Sequence, residues 1–211
     1  MKHPVVIAIT GASGVIYGLR LLEVLIEKEI EIALSISESG QKVLAHELGV
    51  NIDLKQFRLA DLIAGVDDSK LQYHHYKNFM TPIASGSFRT SGMVVCPCSG
   101  STLSGIATAR SGNLIQRAAD VHLKENRKLI LVPRETPLSL LQIRNLETVA
   151  TAGAIVLPAS PGFYHGYETV DHLVDFVVAR ILDQLDIEHD LTTRWGSGAE
   201  ANFEFDPEEG S

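Results

Sequence analysis

The sequence predicts a single α/β domain built on a doubly wound parallel sheet. Three observations carry that expectation. Short continuous apolar runs, without polar alternation, mark strands buried on both faces. Stretches with apolar residues at helical spacing separate them. The runs end in glycine, serine and threonine clusters, where open parallel sheets place their ligand-facing loops.

Taken in order, PVVIAIT at 4–10 is the first strand. Residues 14–28 follow as a helix, with Val15, Leu19, Leu22 and Ile26 on one stripe. IEIALSI at 30–36 is the second strand, and 38–48 reads as a helix. GMVVCP at 92–97 and KLILVP at 128–133 are further buried strands, with helices near 101–109 and 113–125 between them. Asn113 is a good N-cap for the second of these. Thr136 followed by Pro137 reads as an N-cap with proline at the first helical position, opening a helix to about 151. Strand 153–157 (GAIVL) comes next. In the last helix Val170, Leu173, Val174, Val177, Val178, Ile181, Leu182 and Leu185 share a face. Right-handed βαβ units follow from this alternation. The stretch 49–91 yields no assignment, and His74-His75 within it reads as surface.

Composition narrows the class. Of 211 residues, 45% are hydrophobic and 21% charged, which places the chain among folded globular domains. The formal net charge is −8, and Glu200, Glu204, Asp206, Glu208 and Glu209 crowd the last twelve residues. Residues 1–197 therefore read as one domain and 198–211 as an acidic, mobile tail. With no basic stripe, nucleic acid is not an expected partner. The longest apolar runs, VVIAI and LILVP, fall far short of the roughly 18–20 residues of a membrane span. MKHPVVIAITGASG does not read as a secretory signal. Two cysteines cannot staple a domain of this size, so a reducing, cytoplasmic compartment is expected. Cys96-Pro97-Cys98 lacks the ligand number of a zinc site and reads as two small buried residues, so no metal is expected.

The strand tips carry the chemistry. Gly11-Ala12-Ser13-Gly14 forms a strand–turn–helix element that lets backbone N–H groups approach an anion. A tight turn capped by Ser13 explains the same residues. It is neither the dinucleotide fingerprint nor a nucleophile elbow, and a mononucleotide fits better. Ser37 ends the second strand; Ser99, Gly100, Ser101 and Thr102 open a helix with no phosphate-loop lysine. Hydroxyls and N–H groups there suit a phosphate or a flavin edge. Arg134-Glu135 follows a buried strand and precedes a helix, a common position for catalytic groups. PASPGFYHG follows the last strand, so five loops are expected on one edge. On their own, Arg117, Asp120 and Lys124 read as a solvated charge ladder, and Arg180 as a surface arginine.

TGASG, CPCSGSTLSG, NLIQRAADVHLKENRKLILVPRETPL, and PASPGFYHG before VDHLVDFVVARILDQL together closely resemble the UbiX-type flavin prenyltransferases. These belong to the wider family of homo-oligomeric flavin-containing decarboxylase-like proteins. The likeness runs in order over about 3–196 and is strongest from 85 to 185. It implies a Rossmann-like or flavodoxin-like subunit binding FMN, assembled as a dodecamer with sites completed by neighbouring subunits. It also implies transfer of a dimethylallyl group, from dimethylallyl monophosphate, to N5 and C6 of reduced FMN. The prenylated FMN would serve a UbiD-type decarboxylase, in ubiquinone biosynthesis. Carried over by position, Gly11, Ala12, Ser13, Ser37, Ser99, Gly100, Ser101, Thr102 and Arg134 hold the flavin. Lys124, Tyr164 and Arg180 hold the prenyl phosphate, with Arg117, Ser85, Gly86, Ser87 and Trp195 around the donor. Ser13, Glu47, Lys124 and Glu135 are the implied catalytic residues.

The reaction's electrostatics agree with that set. Cleaving an allylic C–O bond leaves negative charge on phosphate, which Arg and Lys donors stabilise. The allyl fragment becomes positive and suits a flat aromatic neighbour such as Trp195. Glu135 could manage protons. Three other activities suit a chain of this kind. A cysteine decarboxylase would need a PxMN-type motif, which is missing, and the only methionines are Met1, Met80 and Met93. A non-catalytic FMN-holding accessory subunit and a direct decarboxylase of aromatic acids are the others.

Overall fold

A computed structural model describes residues 1–163 and 168–192. Six strands form one parallel sheet: β1 (Val5–Ile9), β2 (Ile32–Ile36), β3 (Leu71–Tyr73), β4 (Gly92–Cys98), β5 (Leu129–Pro133) and β6 (Ile155–Val156). Their order is β3-β2-β1-β4-β5-β6. The chain winds outward from β1 to β3, returns to lay β4 on the other side of β1, and winds outward again. Every residue of β1, β2, β4 and β5 is buried, which explains their unbroken apolar runs.

Helices cover both faces. On one, α1 (Val15–Glu27), α2 (Glu38–Leu48), the short α3 (Leu59–Leu62) and α7 (Val170–Gln184) pack with Val5, Ile7, Ile9, Leu34 and Val94. On the other, α4 (Gly100–Ala107), α5 (Leu114–Lys124) and α6 (Leu140–Thr151) pack with Val6, Ala8, Val95 and Leu131. Alternate residues of each strand serve opposite cores, as the pleat requires.

The helix reading needs two adjustments. The most buried positions of α1 are Val15, Gly18, Leu21, Leu22, Val24 and Leu25; Leu19 and Ile26 flank them. The helix lies between sheet and α7, so its apolar face is wider than one stripe. The start of α6 is Ser139, not Thr136. Ser139 and Gln142 form a reciprocal capping box, two bonds that Thr136 has no partner to match.

Region 49–91 contains α3, β3 and a 3-10 turn at Pro82–Ala84. β3 is a three-residue edge strand with no fully buried position, too short to leave a pattern. His74, expected at the surface, is buried at 5% exposure, because it extends the line of β3, its backbone N–H donating to Leu34 O at 2.8 Å. Cys96 and Cys98 are free and buried; burial pushes both thiols up, Cys98 to about 12. No helix among the described residues is long and apolar enough to cross a membrane. Tail 198–211 lies outside the described residues.

Candidate functional site

The turning point of the topology is the gap between β1 and β4, whose chain exits lead to opposite faces of the sheet. Thr10 ties the two tips together. Its Oγ1 donates to Pro97 O at 2.6 Å and accepts from Ser99 N at 2.8 Å. Beyond this tie opens a cleft of about 560 Å³, lined by Gly11, Ser37, Ser99–Thr102, Asn113, Gln116, Glu135 and Gln142, with Glu38, Ser39 and Tyr76 on its rim. Four of the five expected loops meet there. Gly11 admits no side chain, since a Cβ would stand 2.3 Å from Ser39 Cβ. The fifth loop borders a separate pocket of about 270 Å³, where Pro158 and Ser160 meet Arg180.

Helix N-termini converge on the cleft. Ser37 Oγ accepts from Gly40 N at 3.0 Å, Ser99 Oγ from Thr102 N at 3.3 Å, and Asn113 Oδ1 from Gln116 N at 3.0 Å. Ser99 and Ser37 thus act first as caps, while Ser101 is exposed on the first turn of α4. The cleft's charged lining residues are Glu38 and Glu135; no Lys or Arg is among the described residues lining it.

Beside the cleft, Ser13, Glu47 and Arg134 form a second group. Glu47, from the last turn of α2, accepts from Gly14 N at 2.9 Å and from Val15 N at 3.2 Å. The carboxylate therefore closes the N-terminus of α1, where a cap by Ser13 is one reading of the sequence. Gly14 serves as N-cap with φ +94°, in the left-handed region that favours glycine. Burial raises the Glu47 carboxyl, but bonds from Ser13, Gly14 and Val15 and the charge of Arg134 outweigh it, and the net direction is below the ordinary range. Arg134 Nε donates to Ser13 O at 3.1 Å. Ala12 is buried in the turn.

The cationic residues stand apart. Arg117 Nε donates to Ala84 O at 3.1 Å and its Nη1 to Asp120 at 2.9 Å. Lys124 pairs with Glu125 at 3.2 Å rather than with Asp120, and is 49% exposed. It ends the helix that Asn113 begins at the cleft, roughly 16 Å along the axis at 1.5 Å per residue. Ser85, Gly86 and Ser87 lie along that helix, with Arg127 donating to Gly86 O and Phe88 O. Arg180, 53% exposed, pairs with Asp183 at 2.7 Å. One copy thus gathers Gly11, Ser37 and Ser99–Thr102 at the cleft, with Ser13 and Arg134 beside it, and leaves Arg117, Lys124 and Arg180 away from it. Tyr164 and Trp195 lie outside the described residues.

Comparison with known proteins decides the family. Residues 1–182 match the Flavoprotein family model. The flavin prenyltransferase UbiX of Halalkalibacterium halodurans is 46% identical over 90% of this chain and 92% of its own. The chain belongs to the UbiX flavin prenyltransferase family. Solved members of similar fold include AnUbiX (PadA1), in complex with FMN and dimethylallyl pyrophosphate: TM-score 0.82, 35% identity, covering 92% of this chain and 98% of that one. Another is a dodecameric FMN-dependent UbiX-like decarboxylase from Escherichia coli O157:H7: TM-score 0.81, 39% identity, covering 91% and 98%. For this UbiX family chain, sequence reasoning missed Thr10, Ser39, Tyr76, Gln116 and Gln142. A usable signal existed for Gln142, which completes Ser-x-x-Gln three residues after Ser139. Tyr76 had none, because its place depends on a bond from Leu114 N to its carbonyl across the fold.

Proposed function

We propose that this protein is a flavin prenyltransferase, transferring a dimethylallyl group from dimethylallyl monophosphate to reduced FMN. The observation that carries the reading is the cleft at the β1–β4 switch point of a UbiX family chain. Its volume lies within the range of small-molecule sites. Its donor set fits FMN: amides and hydroxyls for the polar edge of a flavin, and the first turn of α4 for a phosphate. Gly11, Ala12, Ser13, Ser37, the Ser99–Thr102 turn and Arg134 would hold it. When bound and reduced, FMN supplies the electron-rich N5 and C6 that accept the prenyl carbons. Ser13 and Glu47 set the polar edge beside α1, and Glu135 takes up or returns a proton from the cleft side.

The leaving phosphate needs cations that the described cleft lining lacks. We assign that role to Lys124, Arg180 and Arg117 of neighbouring copies, with Ser85, Gly86 and Ser87, and with Tyr164 and Trp195. A homo-oligomer is supported by half-exposed cations away from the cleft, and a dodecamer by the dodecameric relative of Escherichia coli O157:H7. Association is supported again by the apolar start of α6, where Leu140 is 61% and Leu141 71% exposed. A UbiD-type decarboxylase as recipient of the product, and a cytoplasmic location suited to two free thiols, complete the reading.

Anaerobic incubation of the protein with reduced FMN and dimethylallyl monophosphate tests it. A flavin heavier by one C5 unit, with stoichiometric phosphate release, is expected. Unchanged flavin with tight FMN binding would instead identify an accessory flavin carrier. A parallel arm with dimethylallyl pyrophosphate decides which ester is the donor.

A further inference from the structure

We propose that Gln142 is a positioning residue for Glu135, aiming its carboxylate into the cleft; this rests on the prenyl-transfer reading above. The argument starts from a hydrogen-bond constraint. Ser139 N can only donate, and it donates to Gln142 Oε1 at 2.8 Å. The amide can therefore not flip, and its NH₂ end must face away from the helix start. There Gln142 Nε2 donates to Glu135 Oε2 at 3.3 Å. Thr136 N donates to the other oxygen, Oε1, at 3.2 Å. Glu135 is thus gripped at both oxygens, by its own following backbone and by a side chain one helical turn into α6.

Gln142 is itself fixed at three points. Its backbone N–H donates to Ser139 Oγ at 3.3 Å. Its amide lies over the first residue of α4, so close that a Cβ on Gly100 would stand 3.2 Å from Nε2. The capping box that starts α6 and the grip on Glu135 therefore share one side chain. It spans the two helix starts that flank the cleft. The other titratable groups lining the cleft are Glu38 and Tyr76, and those two bond to each other at 3.1 Å. Arg134, next to Glu135, donates its Nε to Ser13 O.

Capping and positioning separate in one substitution. Glu at N3 completes a capping box as well as Gln does, so Gln142→Glu keeps α6 started. It replaces the donor facing Glu135 by a second carboxylate, and two like charges that close share a proton rather than both ionise. We expect Gln142→Glu to melt at the wild-type temperature, and its transfer is read at saturating FMN. Its kcat for transfer falls about tenfold or more, KM for the dimethylallyl ester changes little, and the acid limb of the pH–kcat profile moves upward. Gln142→Met loses the side-chain half of the capping box as well as the grip, and falls in stability as well as kcat. Crystals give a readout independent of turnover: the Glu135 carboxylate leaves its place between Thr136 N–H and residue 142 in the Glu variant. Wild-type kcat and pH profile in Gln142→Glu, or an unmoved Glu135 in its crystal, overturns the proposal and leaves Gln142 a helix cap. If wild-type protein transfers nothing, the prenyl-transfer reading fails, while the crystal comparison still decides the position of Glu135.

Discussion

Acidification withdraws stability from this fold through one buried base, His122, by an amount its surroundings set. His122 is 1% exposed in α5. Its Nδ1 meets Ala118 O at 2.7 Å, and since a carbonyl only accepts, Nδ1 carries the proton. Nε2 is then the acceptor for Thr90 Oγ1 at 2.8 Å. Both ring nitrogens are satisfied in the neutral form, and burial disfavours adding a charge to it. Burial is the largest cause of its lowered pKa, Arg127 adds to it, the Ala118 bond opposes it, and the value falls to about 4.

The unfolded chain therefore binds a proton below about 6.5 that the folded chain refuses until about 4. Stability is complete above the unfolded value and is lost as pH falls through this window. At 1.36 kcal/mol per unit the loss is about 3 kcal/mol, a large share of a typical folding free energy. His122→Gln keeps a donor for Ala118 and an acceptor for Thr90 but cannot titrate. Urea unfolding at pH 7 and pH 4, at one protein concentration, should show the wild type losing about 3 kcal/mol more than the variant. Other titrating groups, including His74, are present in both and cancel in the difference. Parallel pH dependences of the two proteins would refute the reasoning.

Three further outcomes follow from the geometry. Glu135→Gln and Lys124→Ala keep the fold, read by circular dichroism and melting, but lose at least about a hundredfold in transfer rate; normal phosphate release from either removes its assigned role. Gly18→Ala places a Cβ 2.3 Å from Cys96 O, pushing α1 off β4, and lowers unfolding free energy by about 2–3 kcal/mol in urea titration. Glu47→Ala strips the acceptor from Gly14 and Val15 N–H and lowers unfolding free energy by about 1 kcal/mol, while Glu47→Gln retains most of it; equal stability of the Ala variant and wild type would show that the cap is idle.

The central sheet was legible because burial on both faces writes an uninterrupted apolar run, as in VVIAI and LILVP. The cleft's first wall was legible for a related reason: glycine and hydroxyl residues directly after such runs have few structural uses besides caps and ligand contacts. Where reading failed, non-local geometry was the cause. A cap of α1 by Ser13 was one of two readings of the turn, but the carboxylate of Glu47, 33 residues beyond Gly14, takes that place. Thr136 looked like the start of α6 until the reciprocal bonds of Ser139 and Gln142 are counted. β3 and His74 depend on an edge strand of three residues, below the length at which any period can be read. The spacing of Arg117 and Lys124 is real, yet spacing along one helix gives no indication of what lies against them in an assembly.

Charge explains why that last question matters. A cleft whose described charged lining is Glu38 and Glu135 suits a proton transfer, but it offers no cation to the dianion that prenyl transfer would release. The cations that would offset this lack sit half-exposed on α5 and α7, each paired with a surface carboxylate. Surface pairs of that kind contribute roughly 0–1 kcal/mol, so exchanging the carboxylate for a phosphate costs little. In the proposed assembly, association of copies would bring the two halves together, and the molecule carries an exposed apolar surface suited to drive it. The exposed residues Leu138, Leu140, Leu141 and Ile143 begin three positions after Glu135. Covering them with a second copy sets that copy's surface against the rim of the cleft. In that proposed assembly the same apolar burial would dry the space between the carboxylates and the donor phosphate, and in a drier space each charged contact there is stronger.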